Sequence, residues 1–236
     1  MIYVGIDDTD TLDTPGTNQL ARMLAERLAD RFCCRLIVRH QLFFDPRIPY
    51  TSHNGSASLL LEPLGPPQAA DSSGLIDELR HGMQEAYVEG SDPGLCVARH
   101  VPTQIITYAS RCKREVVTQE EARTLAREHE IHLEGLGGTE GGVIGALAAI
   151  GLLATQNDGR IIHMAGWADD LTGLCELTEI RGRGVAVTEI GTGSPILDGV
   201  IDIGKKLRPN LRDSRIELFA QRSTPDCDIW QAVRVL

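Results

Sequence analysis

Ile2-Tyr3-Val4-Gly5-Ile6-Asp7-Asp8-Thr9-Asp10 opens the sequence, and its reading decides the rest. A short β-branched and aromatic run is the pattern of a buried strand. Its carboxyl end delivers Asp7, Asp8 and Asp10 to one place, where unpaired like charges repel and raise one another's pKa. A divalent cation relieves such crowding. Oxygen donors with no sulfur or imidazole nearby favour Mg²⁺ or Mn²⁺. The other reading is a solvated turn, because Asp and Thr also favour turns and caps.

Outward from this turn, residues 14–18 read as a loop ending in a helix cap, followed by a helix over 19–31 with Leu20, Met23, Leu24, Ala25 and Leu28 on one face. Strand patterns follow at 34–44 and 56–61, with a Pro/Gly/Ser-rich loop and then a helix over 75–89. Ile105 to Tyr108 is a fourth short apolar run, and Thr118 with Glu121 forms a capping box. Alternating strands and helices predict an α/β (α+β) fold. The glycine-rich stretch Gly135 to Gly142 opens onto the small-residue run Val143 to Gly151. Glycines permit close backbone approach, and exposed helix N-terminal amides attract anions. Neither common phosphate-loop fingerprint occurs.

From about residue 175 the texture changes to short β-like runs at 175–180 and 185–190, flanking Arg181-Gly182-Arg183-Gly184. A short helix over 198–207, a strand over 216–220 and a strand or helical turn over 229–233 complete a smaller unit. The predicted domains are therefore 1–175 and 176–236.

Composition limits the function classes. The 236 residues include 42% hydrophobic and 24% charged residues, enough for a sizeable core and a polar surface. A run of about 18 apolar residues is absent, and the N-terminal segment lacks a signal peptide's basic start, so the expectation is a cytoplasmic protein without membrane contact. A net charge of −10 argues against broad electrostatic binding to nucleic acid. Cys33, Cys34, Cys96, Cys112, Cys175 and Cys227 contain no C-x-x-C pair and read as reduced thiols. His129 and His132 sit at helix-like spacing, a weak metal signal beside a plain surface pair.

Several segments together resemble one family, the archaeal isoleucine-tRNA 2-agmatinylcytidine synthetases (TiaS). Gly5-Ile6-Asp7-Asp8-Thr9-Asp10 looks like its opening motif, and Thr17-Asn18-Gln19-Leu20-Ala21 falls where the family has paired threonines before Tyr-Leu-Ala. Ile48-Pro49-Tyr50 with Asn54-Gly55-Ser56-Ala57 resembles its I-P-Y and G-N-G-A segment, and Pro93-Gly94 lies near its N-P-G stretch. Gly142-Val143-Ile144-Gly145-Ala146-Leu147-Ala148-Ala149-Ile150-Gly151 is similar to G-[LV]-I-G-A-L-A-A-[IV]-G, and Ser194 to Val200 to the start of a ferredoxin-like domain.

The resemblance implies a kinase-like catalytic domain followed by a small ferredoxin-like domain. It implies Mg-ATP as cofactor, with activation of a tRNA cytidine by phosphorylation and condensation with agmatine. Carried over, Asp7, Asp8 and Asp10 hold Mg²⁺ and act in catalysis. Thr17 accepts or orients a phosphoryl group. Asn54, Gly55, Gly141, Gly142 and Val143 approach the nucleotide. Glu140 would repel phosphate, leaving Arg47, His53, Lys113 or the Arg181/Arg183 pair to supply positive charge.

The family's OB fold and zinc-ribbon cysteine pairs have no counterpart in the sequence, which predicts a short stand-alone relative. Together with the charge, this favours a Mg-ATP-dependent enzyme activating a small-molecule substrate by phosphoryl transfer. Condensation with an amine could follow, with pterin- or furan-type cofactor biosynthesis as the setting. Nucleic acid is unexpected without a partner chain, and an apolar second unit would suit a homodimer. The alternatives are a tRNA-modifying enzyme working with an RNA-binding partner, or a non-catalytic nucleotide-binding subunit.

Overall fold

Three apolar residues on alternate positions of the first strand, Ile2, Val4 and Ile6, are fully buried, while the residues between them face the opposite side. That period-two split places helices on both faces of one sheet. The computed structural model describes residues 1–11, 16–48, 54–65, 72–222 and 229–235. Strands β1 (Ile2–Asp7), β2 (Phe32–Gln41), β3 (Gly55–Pro63), β4 (Gly94–Ala98), β5 (His132–Gly135) and β6 (Arg160–Met164) run in the order β5-β4-β1-β3-β2-β6. Every neighbouring pair is antiparallel.

Helices α1 (Thr17–Arg27) and α2 (Ser72–Glu85) cover the face that carries Ile2, Val4 and Ile6, through Leu20, Leu24, Leu75 and Leu79. Helices α3 (Thr103–Arg111), α4 (Gln119–Glu128) and α5 (Val143–Ala154) cover the other face. There α5 is buried along almost its whole length. Small residues make room for it. A Cβ on Gly5 would stand 2.0 Å from the Ala146 carbonyl oxygen.

The apolar run at 105–108 is part of α3, not a strand: Ile105, Tyr108 and Ala109 recur at helical spacing and are buried. Thr118 does cap α4, accepting from the Glu121 N–H at 3.2 Å. The Glu121 carboxylate, however, pairs with Arg111 instead of closing the box. His129 caps the end of α4 while His132 lies in β5 and bonds Glu134 at 2.9 Å, so the two do not share a helix.

Beyond β6 come β7 (Leu174–Glu176), α6 (Leu177–Gly182), β8 (Ala186–Glu189), β9 (Val200–Asp202), β10 (Asn210–Arg212), β11 (Arg215–Arg222) and β12 (Ile229–Val233). Residues 177–180, expected as strand, turn into α6, and the expected helix over 198–207 is replaced by the short strand β9. These strands bury a cluster that includes Leu171, Cys175, Leu177, Ile180, Val187, Ile201 and Leu218. The first sheet continues into them by one rung, Arg160 opposite Asn210. We keep a division near residue 175 as a proposal, observing that Leu171 and Cys175 already pack with the later residues. The described cysteines are free thiols, and Cys227 lies outside the described residues.

Candidate functional site

Asp7 ends β1 on the same face as Gly5, beneath the first turn of α5. The space that a side chain on Gly145 would fill is taken by the Asp7 carboxylate, with Oδ2 only 1.7 Å from an ideal Cβ there. Gly142 and Gly94 bring backbones together at the same point, each leaving less than 3 Å for a Cβ. The N-terminus of α5 is thus wedged between the ends of β1 and β4. Asp8 follows in a left-handed conformation, φ +52°, which an L-residue adopts at a cost. Burial pushes the Asp7 carboxyl up to about 8, reinforced by the charge of Asp8. Burial, then Asp92 and Asp10, push Asp8 up to about 6.

A cavity of about 230 Å³ opens over these residues. It is lined by Asp7, Asp8, Asp10 and Thr17 together with Asn54, Gly55, Gly141 and Gly142. The structure therefore gathers into one cavity residues that are more than a hundred positions apart in sequence. Val143 is set back: its side chain is fully buried and its N–H turns to the Glu140 carbonyl at 3.3 Å. Thr17, at the start of α1, donates its hydroxyl to Asp10 Oδ1 at 3.0 Å and accepts from Thr9 at 3.1 Å. Asn54 donates to the Phe43 carbonyl at 2.7 Å, which fixes the entry of β3.

Two residues of the site are not apparent from sequence. Asp92, just before β4, adds a fourth aspartate to the cavity and accepts the Thr139 N–H at 2.6 Å, holding the glycine-rich loop. The only sequence signal was its position before Pro93-Gly94. Arg39 on β2 lies over Gly55, where its Nη2 is 2.9 Å from an ideal Cβ, and feels the charges of Asp10 and Asp7.

The residues expected to supply positive charge do not reach the cavity. Arg47 is tied to Asp45 at 2.7 Å, Lys113 pairs with Asp158, and Arg181 and Arg183 belong to the later strands' surroundings, bonded to the Leu197 carbonyl and to Asp170. His53 lies outside the described residues. Glu140, expected to repel phosphate, is paired with Arg123 and does not line the cavity. Cys112 does line it, but burial pushes its thiol up to about 12, too high for a nucleophile at neutral pH.

Among the described residues, the cavity wall has five carboxylates, including Glu115, and no Lys or Arg. No three of the described His, Cys, Asp or Glu side chains converge as a ready-made cation cage. Oxygen-only donors that are partly buried and crowded fit Mg²⁺ in its usual mode, in which one or two carboxylates share the ion with substrate phosphates and water.

Fold and site together define an α/β protein whose carboxylate-lined pocket lies under a glycine-led helix. Comparison with known proteins then points to one family. No protein-family model matches the chain. The curated relative tRNA(Ile2) 2-agmatinylcytidine synthetase TiaS of Archaeoglobus fulgidus is 31% identical over 157 residues, covering 64% of this chain and 35% of that protein. The TiaS–tRNA(Ile2)–ATP complex superposes with a TM-score of 0.55 at 26% identity, over 64% of this chain and 36% of that one. A tRNA fluorescent labeling enzyme gives 0.54 at 28%, over 64% and 35%. Apo TiaS gives 0.53 at 26%, over 64% and 35%.

The chain thus resembles TiaS in sequence and fold while spanning about a third of that relative's length. The expectation of a small-molecule substrate, with nucleic acid unexpected without a partner chain, is overturned. The relatives act on or bind tRNA(Ile2). A net negative chain does not prevent this, because charge is distributed locally. No described helix is long and apolar enough to cross a membrane.

Proposed function

We propose that this chain is an ATP-dependent, tRNA-directed enzyme that joins an amine of the agmatine type to a cytidine base. The observation that carries the reading is the cavity wall itself: five carboxylates and no basic side chain among the described residues. A triphosphate enters such a pocket only together with divalent cations. Similarity to the agmatinylcytidine synthetase supports the substrate class.

In this reading Asp7, Asp8 and Asp10 would hold Mg²⁺, and the ion would supply charge neutralisation for the phosphate groups. Gly141 and Gly142 let the loop backbone approach the nucleotide, and Asp92 fixes that loop through Thr139. Thr17, aligned by Asp10 and Thr9, presents its hydroxyl at the cavity wall as phosphoryl acceptor or as guide for one. Asn54 and Gly55 complete the cavity wall, and Arg39 behind Gly55 limits the repulsion among the aspartates. Phosphoryl transfer asks mainly for positioning and charge neutralisation, which this arrangement provides.

The test is incubation of the chain with ATP, Mg²⁺, labelled agmatine and tRNA(Ile2). Expected is Mg²⁺-dependent incorporation of label into RNA with matching ATP consumption. Asp8→Ala should fold normally and lose about 100-fold or more of the rate, the scale for removing a charge-stabilising group. A folded wild-type chain that neither binds nor consumes ATP in the presence of tRNA and amine would refute the proposal.

A further inference from the structure

A second cavity, of about 340 Å³, lies where β6 meets the later strands. Its wall carries Arg160, Lys205, Lys206, Arg208 and Arg234 against one carboxylate, Asp202. Two of the three lysines in the whole sequence stand here, in a chain of net charge −10. This is the electrostatic inverse of the acid-lined pocket.

The cations are only partly compensated. Lys206 and Arg208 share Asp169, at 2.8 and 2.7 Å, which lies outside the cavity wall. Asp202 accepts the Gly204 N–H at 2.8 Å. Among the described residues, Arg160, Lys205 and Arg234 form no ion pair with a carboxylate. The Arg160 Nε is buried and has no hydrogen-bond partner, an arrangement that proteins rarely leave unmatched. Burial and the like charges of Arg39, Arg234 and Arg208 pull its guanidinium below the usual range. Guanidinium and ammonium groups crowded around a walled space stabilise one another only when an anion sits among them, and arginine forks match phosphate oxygens.

We propose that this cavity is a second anion site that holds a phosphate group, separate from the acid-lined pocket. Two sources share that chemistry: a phosphodiester of a bound RNA strand, and free phosphate. Arg39 links the two regions, since it feels both Asp10 and Arg234. A strand phosphate held at the seam would therefore lie near the nucleotide pocket. The assignment of the strand as RNA rests on the function proposed above, whereas the phosphate chemistry does not.

The experiment uses the full chain and the double variant Lys205→Glu/Arg234→Glu, both positions being exposed, with Arg160→Gln as a second variant. Fluorescence anisotropy with a labelled tRNA measures the first arm. Expected is a tenfold or greater weakening, with the slope of log Kd against log salt reduced by about two in the double variant, on the order of one per lost phosphate contact. Calorimetry with inorganic phosphate measures the second arm. Loss in the tRNA arm assigns the cavity to the strand, and loss in the phosphate arm alone assigns it to the free anion. Unchanged binding in both arms, in variants with wild-type circular dichroism, overturns the proposal. Mg-ATP binding should stay at the wild-type level in these variants and be lost in Asp8→Ala, so failure of the proposed function and failure of this site are told apart.

Discussion

Gly145 has no side chain because the Asp7 carboxylate occupies the place of one. A single methyl group there should act on chemistry more than on folding. Gly145→Ala is expected to displace Asp7, to cost about 1–3 kcal/mol of stability by overpacking, and to abolish Mg-ATP turnover. Denaturant titration and an ATPase assay on the same sample check both halves. Asp8 presents the reverse trade. It holds an unfavourable backbone angle and is repelled by Asp92 and Asp10. Asp8→Asn should therefore raise the melting temperature measured without metal by a few degrees, about 0.5–1 kcal/mol, while turnover is lost. A variant that is both less stable and inactive would show that Asp8 is needed for the fold. At this scale the sequence was readable where residues are neighbours: Asp7, Asp8 and Asp10 lie together in the chain and in the cavity. Asp92 and Arg39 were not readable, since only strand pairing brings β4 alongside β1 and sets β2 one strand away, beyond β3.

Helix α5 shows how one element serves two ends. Its N-terminal glycines admit Asp7 and the end of β4, whereas Gly151 lets α3 approach, leaving only 2.6 Å between an ideal Cβ and both the Ala109 Cβ and the Ile105 carbonyl oxygen. Gly151→Ala is expected to destabilise by about 1–3 kcal/mol yet leave the rate per folded molecule near wild type, in contrast to Gly145→Ala. Comparing the two by urea melts and specific activity separates packing from site geometry. The helix itself was legible because its small apolar residues run unbroken behind a glycine loop. Short elements were less so. Ile105 to Tyr108 carries too few residues to tell a buried strand from a helix turn, and three-residue β9 owes its form to pairing with β12 and β7. Local sequence around 198–207 holds no record of those partners.

Across the whole molecule, Asp169 is a junction. It receives Arg22 from α1 and Lys206 and Arg208 from the later segment, at 3.2, 2.8 and 2.7 Å. Arg208 first, then Lys206, hold its carboxyl well below the usual range. A carboxyl depressed in the folded state stabilises above its unfolded pKa, near 4. That contribution is lost as pH falls towards the folded value. Asp169→Asn should thus lower stability by about 1 kcal/mol at pH 7, with the difference from wild type shrinking below about pH 4 in urea melts. An undiminished difference at pH 3 would place the effect in packing. The acid-lined and basic cavities both act on Arg39, which feels Asp10 and Asp7 from one and Arg234 from the other, so the local field changes sign between them. On the function proposed above, a polyanion diffusing towards the chain would meet the basic seam first, leaving the acidic mouth for cation-neutralised nucleotide. Encounter would then be oriented by the long-range field, and productive collisions should become rarer as salt shortens that field's reach.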